Sequence, residues 1–221
     1  MKIKDSVFSF IFAGIGYMLF CSGIPGLLAD MLGSLTGVHP NVYYALLSGL
    51  AGILFMLCLY GYFKEKMELF SNLSVKGVVE ALGIGLVLFV VINFMVSPIL
   101  GMIFTTSESN YVENVRAMFE TPMATLVQLV VIAPVMEELV FRGFLLKREL
   151  RCRSTWIAVI CVAAWFGILH MNVVQSISAA AAGIVLCLFY AKRRSVGLNI
   201  LAHGFYNGLA FVLMYFFGGV R

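Results

Sequence analysis

Three ionisable side chains lie close together inside an apolar run of the sequence, from about Pro122 to Leu146. Glu137, Glu138 and Arg142 fall within six consecutive residues of that run. An ionised side chain near the centre of a membrane-spanning helix costs about 2.5–3.5 kcal/mol, so three together cost on the order of 8–10 kcal/mol before any pairing. Such groups face a bundle interior or a wet cavity, and this position therefore predicts chemistry within the membrane.

Glu138 and Arg142 are four residues apart, with the glutamate first, which favours an ion pair on a helix. That pair leaves Glu137, rotated by about 100° around the helix, without a local cation. An unpaired carboxylate in a low-dielectric site can serve as a general base. Pro134 lacks a backbone N–H, which loosens the helix and could admit a water beside Glu137. The alternative is a structural salt bridge with the second glutamate paired to another helix.

Two histidines occur deep in later apolar runs. Phe166 precedes His170 by four residues, so its ring can pack against the imidazole and fix its orientation. His203 and Asn207 have the same spacing, which places an imidazole and a carboxamide on one helix face. Both groups can donate hydrogen bonds to a developing oxyanion. Each histidine alone is more typical of a hydrogen bond between helices, but together with the carboxylates they favour a catalytic site.

The elements that carry these residues are membrane-spanning helices. Of the 221 residues, 62% are hydrophobic and 12% are charged, and the mean hydropathy is +1.00. Soluble domains carry roughly 25% charged residues. The apolar runs reach the roughly 20 residues that span a bilayer core, and they lack the alternation of a barrel strand. We predict an all-α polytopic membrane helical bundle with about seven transmembrane helices: Val7–Ala29, Asn41–Phe63, Gly77–Phe104, Pro122–Leu146, Trp156–Met171, Val173–Ala191 and Val196–Phe217.

The polar residues divide the chain into two unequal parts. Residues 1–121 form the first three helices and a polar external loop from about Thr105 to Thr121, and we expect them to pack or to guide substrate. Lys2 and Lys4 before an apolar stretch resemble a signal peptide, but the stretch is long enough to be the first span. Residues 122–221 form the predicted catalytic core of four helices. Small residues at four-residue spacing, such as Ala179 and Gly183, predict close helix contacts there.

Lysine and arginine residues follow the loops between the predicted spans. Twelve fall on one side and two on the other, which predicts a multi-pass protein of the cytoplasmic membrane with its N-terminus inside and its C-terminus outside. The net charge of +4 therefore reports topology, and we expect the lipid bilayer rather than nucleic acid as a partner. The twelve are Lys2, Lys4, Lys64, Lys66, Lys76, Lys147, Arg148, Arg151, Arg153, Lys192, Arg193 and Arg194, and the two are Arg116 and Arg221.

A metal site is the main chemical alternative. One glutamate and two histidines would be a plausible zinc set. However, H-E-x-x-H is absent, and Asn207 and Arg142 fit an oxyanion site and an ion pair better than a ligand shell. The five cysteines show no C-x-x-C spacing, so we expect them to pack as small apolar residues. We therefore predict no metal and no cofactor.

The motifs occur in the same order in a known family. The chain resembles the CPBP (Abi) family of intramembrane proteases, which is related to the type II CAAX prenyl endopeptidases. The resemblance covers about Pro122 to Phe217, and the first three spans agree only in hydropathy. Type II CAAX proteases are usually drawn with eight spans, one more than here. The motifs are E-E-x-x-x-R at Glu137, Glu138 and Arg142, F-x-x-x-H at Phe166 and His170, and H-x-x-x-N at His203 and Asn207.

The resemblance implies a metal-independent glutamate protease. Glu137 and His170 would activate water, and His203 and Asn207 would form the oxyanion site. Glu138, Arg142 and Phe166 would be supporting residues. The helical geometry adds a requirement, because Glu137 lies roughly 15 Å from the cytoplasmic end of its span. His170 falls closer to the external face, so the fifth helix must begin well below Trp156 or tilt.

We therefore expect an intramembrane endopeptidase that cuts a peptide or protein substrate near the membrane. If the organism is bacterial, the resemblance points to bacteriocin maturation or immunity, or to processing of peptide signals. One alternative is a non-catalytic scaffold or self-immunity protein that keeps the motifs and binds a partner membrane protein. Another is a proton-coupled carrier, which should show repeat symmetry in both halves. The acidic and basic residues deep within the spans all lie in the C-terminal half of the chain, which counts against a carrier.

Overall fold

The computed structural model describes residues 3–104 and 116–217, and within these ranges the chain forms helices and no strands. Seven apolar helices follow one another, and all except α5 are long enough to cross a membrane. The predicted all-α polytopic bundle is confirmed. The helices are α1 (Val7–Thr36, with its first turns starting at Ile3), α2 (Pro40–Tyr62), α3 (Val75–Ile103), α4 (Pro122–Glu149), α5 (Thr155–Ile168), α6 (Val173–Arg193) and α7 (Val196–Phe217).

The fifth helix is shorter than its predicted span, whereas the first continues seven residues beyond its predicted end at Ala29. α5 has 14 residues, so it is about 21 Å long, whereas a bilayer core is about 30 Å thick. It ends before the expected Met171 because Met171 adopts a left-handed conformation with φ of 55°. Asn172 then caps α6, where its side chain accepts a hydrogen bond from the Gln175 backbone at 3.1 Å. The tight turn and a short fifth helix were both predicted, but the predicted span reached Met171.

Glu137 and His170 lie at more similar distances from the ends of their helices than the sequence suggested. α4 continues to Glu149, three residues beyond its predicted end, so Glu137 lies 12 residues, about 18 Å, from that end. His170 lies 15 residues, about 22 Å, from the first residue of α5, Thr155. The difference is less than one helical turn. The fifth helix therefore does not need to begin well below Trp156.

Polar contacts between loops define one end of the bundle. Glu65, after α2, accepts hydrogen bonds from Arg148 at 2.9 Å and from Arg151 at 2.7 and 2.9 Å. Burial alone would raise the pKa of the Glu65 carboxyl, but the hydrogen bonds and charges of Arg151 and Arg148 outweigh it and lower that pKa below its ordinary value. Arg148 also contacts Ser9 of α1 at 3.4 Å. Asn72 donates to the Arg194 carbonyl at 3.1 Å, which brings the loop after α6 to the same end.

The opposite end has its own contacts. The imidazole of His39 lies 2.8 Å from a carboxylate oxygen of Glu120. Asn41 donates to the Ala117 carbonyl and to the Thr121 hydroxyl, each at 3.1 Å. This polar cluster includes the last residues of the predicted external loop, Ala117 to Thr121. Residues 105–115 of that loop lie outside the described residues. The boundary between residues 1–121 and 122–221 stays a prediction.

Close helix contacts form where the sequence has small residues. A Cβ atom added to Gly183 of α6 would lie 3.2 Å from the Phe166 ring of α5. A Cβ atom on Gly85 of α3 would lie 2.6 Å from the Ala202 carbonyl of α7. All five cysteines are free, and Cys187 of α6 is fully buried. Large apolar side chains also cover the outer surface, as expected for helices in lipid.

The distribution of basic residues between the two ends of the bundle predicts the topology of the chain in the membrane. Reporter fusions after Gly37, Ser71, Ser109 and Arg194 should read outside, inside, outside and inside, because basic residues collect at the end that carries Glu65. The reading at Arg194 tests whether α5 and α6 cross and return. An outside reading there, or a cytoplasmic reading at Ser109, would contradict the arrangement.

Candidate active site

The carboxylates of the E-E-x-x-x-R motif lie in the middle of α4, between two π-helical segments. Those segments are Gln128–Ile132 and Leu139–Leu146, and the intervening turns are Ala133–Glu138. A π-helical segment leaves backbone carbonyls with imperfect intrahelical partners, and such segments are common at functional sites. The loosening of the helix that was expected before Pro134 is therefore present, because the first π segment ends at Ile132, two residues before Pro134.

Glu138 and Arg142 form the predicted ion pair. Arg142 Nη1 lies 2.8 Å from Glu138 Oε1, and both side chains have no exposed surface. Arg142 also donates to the Gly183 carbonyl of α6 at 3.3 Å, and its guanidinium lies 4.7 Å from the centroid of the Phe166 ring. A buried pair of this kind is tolerated only when further groups satisfy both charges.

Two residues of α7 supply the remaining donors to Glu138. His203 Nδ1 lies 2.8 Å from Glu138 Oε1, and Asn199 Nδ2 lies 3.3 Å from Oε2. Since a carboxylate oxygen can only accept, His203 must carry its proton on Nδ1 in this contact. The other ring nitrogen, Nε2, then faces Glu137 at 3.7 Å. Nε2 can donate a hydrogen bond only when the ring is an imidazolium.

Glu137 has different neighbours from Glu138. Its carboxylate accepts a hydrogen bond from the Tyr17 hydroxyl of α1 at 2.9 Å, and its other oxygen faces His203 Nε2. As expected from the helix geometry, Arg142 pairs with Glu138 and not with Glu137. Glu137 therefore presents its carboxylate to the space beside α4, whereas the carboxylate of Glu138 is engaged in the interior.

Phe166 holds His170 as the spacing predicted. The two rings meet edge to face with centroids 5.0 Å apart. His170 Nδ1 lies 2.9 Å from the Phe166 carbonyl, and a carbonyl can only accept, so Nδ1 carries a proton; in the neutral ring the lone pair then lies on Nε2. Phe166 also contacts His203 at 6.1 Å between ring centroids. One buried aromatic ring thus fixes both imidazoles and the guanidinium of Arg142.

Asn207 lies on the same face of α7 as His203 and contacts α4. Its Nδ2 donates to the Leu129 carbonyl, in the first π segment, at 2.8 Å. α7 can approach α4 this closely because Gly204 has no side chain: a Cβ atom there would lie 2.7 Å from the Val130 carbonyl. The second N–H of the amide is left for another acceptor.

A cavity of about 530 Å³ brings the four candidate catalytic residues together. It lies between α3, α4, α6 and α7 and reaches the turn after α5. Glu137, His170, His203 and Asn207 all line it. A second cavity of about 310 Å³ lies beside α4 towards α1 and α2, and Glu137 and His170 line this one as well.

Sequence reasoning missed two polar residues of the site. Asn199 had a usable signal, because it precedes His203 by four residues and therefore shares its helix face. Tyr17 had none, because it lies 120 residues before Glu137 in an ordinary apolar helix. In residues 3–104 and 116–217, no three His, Cys, Asp or Glu side chains are arranged to hold a metal ion.

The geometry predicts different consequences for the two glutamates. Glu138→Gln leaves the Arg142 charge buried without its counter-ion, which should destabilise the fold by about 3–5 kcal/mol. Glu137→Gln keeps the side-chain volume and the contact with Tyr17, so its Tm should stay close to that of the wild type. Thermal unfolding of the purified protein in detergent measures both, and equal Tm values for the two variants would contradict the assignment.

Residues 119–209 match the family described as Type II CAAX prenyl endopeptidase Rce1-like. The matched segment holds α4, α5, α6 and most of α7, and therefore all three motifs. No curated protein and no solved structure matches the chain. Together, the family match and the apolar helices support a multi-pass membrane protein and, at the family level, a CAAX intramembrane protease. The match over this segment supports a relation to the CPBP/CAAX protease family.

Proposed function

We propose that the protein is a metal-independent glutamate endopeptidase that hydrolyses a peptide bond near the membrane. The observation that supports this proposal is the larger cavity, where one carboxylate, two imidazoles and one carboxamide meet on a common wall. These groups are the general base and the oxyanion donors that amide hydrolysis needs.

Glu137 is the proposed general base, with His170 beside it. Glu137 takes a proton from water, and the resulting hydroxide adds to the carbonyl carbon of the scissile bond. The lone pair on His170 Nε2 accepts a hydrogen bond from the same water and orients it. Glu138 does not compete for this role, because its oxygens already accept from Arg142, His203 and Asn199.

His203 and Asn207 are the proposed oxyanion donors. The Asn207 amide has one N–H free after its bond to Leu129, and His203 offers Nε2–H as an imidazolium whose other N–H is held by Glu138. Collapse of the tetrahedral intermediate breaks the C–N bond. The proton on Glu137 then moves to the leaving amine, which restores the carboxylate and balances the reaction.

The substrate class follows from the position of the site. A cavity enclosed by spanning helices fits a peptide bond that lies at or within the bilayer, and we propose processing of a bacteriocin or a signal peptide. The protein would act in the cytoplasmic membrane with its N-terminus inside, as the distribution of basic residues indicates.

One observation favours a second function. The Asn207 amide already bonds the Leu129 carbonyl, and the Tyr17 hydroxyl already bonds Glu137, so both polar groups serve helix packing as well. A non-catalytic scaffold or self-immunity protein that binds another membrane protein would use the motifs in this way.

The deciding experiment compares peptides from three strains that differ in this protein. A deletion strain should accumulate an uncut precursor, and wild-type protein should restore its cleavage. Glu137→Gln at equal membrane level should leave the precursor uncut. Full cleavage with Glu137→Gln would exclude the proposed base.

Asn207 separates the protease from the scaffold. Removing one oxyanion donor costs about 10²–10³ in rate, so Asn207→Ala should cut the precursor far more slowly while still binding it. Asn72→Ala, which removes a carboxamide outside both cavities, is the matched control and should cut at nearly the wild-type rate. A scaffold has no developing charge, and normal complementation by both Glu137→Gln and Asn207→Ala would favour it.

Chelation tests the proposed independence from metal. Glu137, His170 and His203 act here as base and hydrogen-bonding groups, so EDTA or phenanthroline should leave the cleavage rate of the purified protein unchanged. A loss of activity that added zinc restores would instead assign these side chains to a metal site.

A further inference from the structure

The two cavities are lined by different sets of candidate catalytic residues. Both are lined by Glu137 and His170, the proposed base and its neighbour. Only the larger is lined by His203 and Asn207, the proposed oxyanion donors. The carbonyl that is attacked must meet base and oxyanion donors together, and it therefore lies in the larger cavity.

We infer that the smaller cavity supplies the hydrolytic water to Glu137 from the side of α1 and α2. The inference rests on the proposed function, because it assigns the second reactant of the same hydrolysis. Glu137 and His170 line both cavities, so a water that they hold from the smaller cavity can meet a carbonyl that lies in the larger one. The two reactants then do not need to pass through one opening.

The lining of the smaller cavity suits water. Its walls carry the hydroxyls of Tyr17, Ser22, Tyr44 and Ser48 and the amide of Gln128. A buried water needs about two to four polar partners, and a volume of about 310 Å³ greatly exceeds the roughly 10–15 Å³ that one water requires. The hydroxyl groups are spread along the cavity, which allows a chain of hydrogen-bonded waters.

The hydroxyl groups connect Glu137 with the outer part of the bundle. At the inner end, Tyr17 bonds Glu137 at 2.9 Å. At the outer end, Tyr44 lies four residues, about 6 Å, from Pro40, where α2 begins. Ser22 is exposed and lies 3.5 Å from the Tyr44 hydroxyl. Water can therefore enter near the end that carries the His39–Glu120 contact.

Steady-state kinetics distinguish a water route from a peptide subsite. Ser48→Leu fills the smaller cavity with apolar atoms, so kcat on the precursor peptide should fall by about tenfold or more while KM stays unchanged. Ser178→Leu, the matched change in the larger cavity, should raise KM instead. Gln128→Leu repeats the test if Ser48→Leu does not fold. A raised KM with unchanged kcat, or no effect, for the variants of the smaller cavity would overturn the inference.

Radical footprinting tests the water itself without any substrate. X-ray pulses generate hydroxyl radicals from bound water, which modify adjacent side chains. Cys21 lines the smaller cavity, whereas Cys187 is fully buried outside both cavities. Wild-type protein should be modified at Cys21 several-fold faster than at Cys187, and Ser48→Leu should remove the difference. Equal protection of both cysteines in the wild type would refute the water route.

The two proposals fail in different ways. Wild-type protein that cuts no precursor, yet is modified at Cys21, would contradict the proposed function alone. Protein that cuts the precursor and loses cleavage in Glu137→Gln, but shows neither a kcat effect in Ser48→Leu nor modification at Cys21, would contradict the water route alone.

Discussion

The buried carboxylate of Glu138 joins the elements of the site, because it is the negative charge to which α4 and α7 both contribute partners. Arg142 supplies its counter-ion from the same helix, and His203 and Asn199 bring donors from α7. A carboxylate without these partners would cost several kcal/mol in the interior. Satisfying that one charge therefore fixes the rotation of α7 against α4, and this rotation also turns His203 Nε2 towards Glu137.

The irregular backbone of α4 provides the complementary constraint. Side chains from two other helices complete the π segments: Tyr60 donates to the Leu139 carbonyl at 2.8 Å, and Asn207 donates to that of Leu129. A regular α-helix would have kept these carbonyls for itself. The cost of the irregular segments is thus offset by bonds that position neighbouring helices. Gly204 allows the closest of these approaches.

Local periodicity predicted those parts of the site that depend on one helix. The ion pair of Glu138 with Arg142 and the packing of Phe166 on His170 both follow from four-residue spacing, and both are present. Contacts between distant helices have no such signature, which is why Tyr17 was not found. Hydropathy also fails to locate the end of α5, because the apolar residues Leu169 and Met171 continue the run past Ile168. The roles assigned to the candidate catalytic residues stay predictions.

The shortness of α5 has a consequence for the surrounding lipid. A helix about 9 Å shorter than the hydrocarbon core creates a hydrophobic mismatch, which costs fractions of a kcal/mol for each ångström. Acyl chains beside α5 compress to meet it, and headgroups and their water sink towards the turn that carries His170. For the proposed protease, a peptide that enters the site from this flank would cross a thinned leaflet, so its backbone would lose less of its hydration before it reached Glu137.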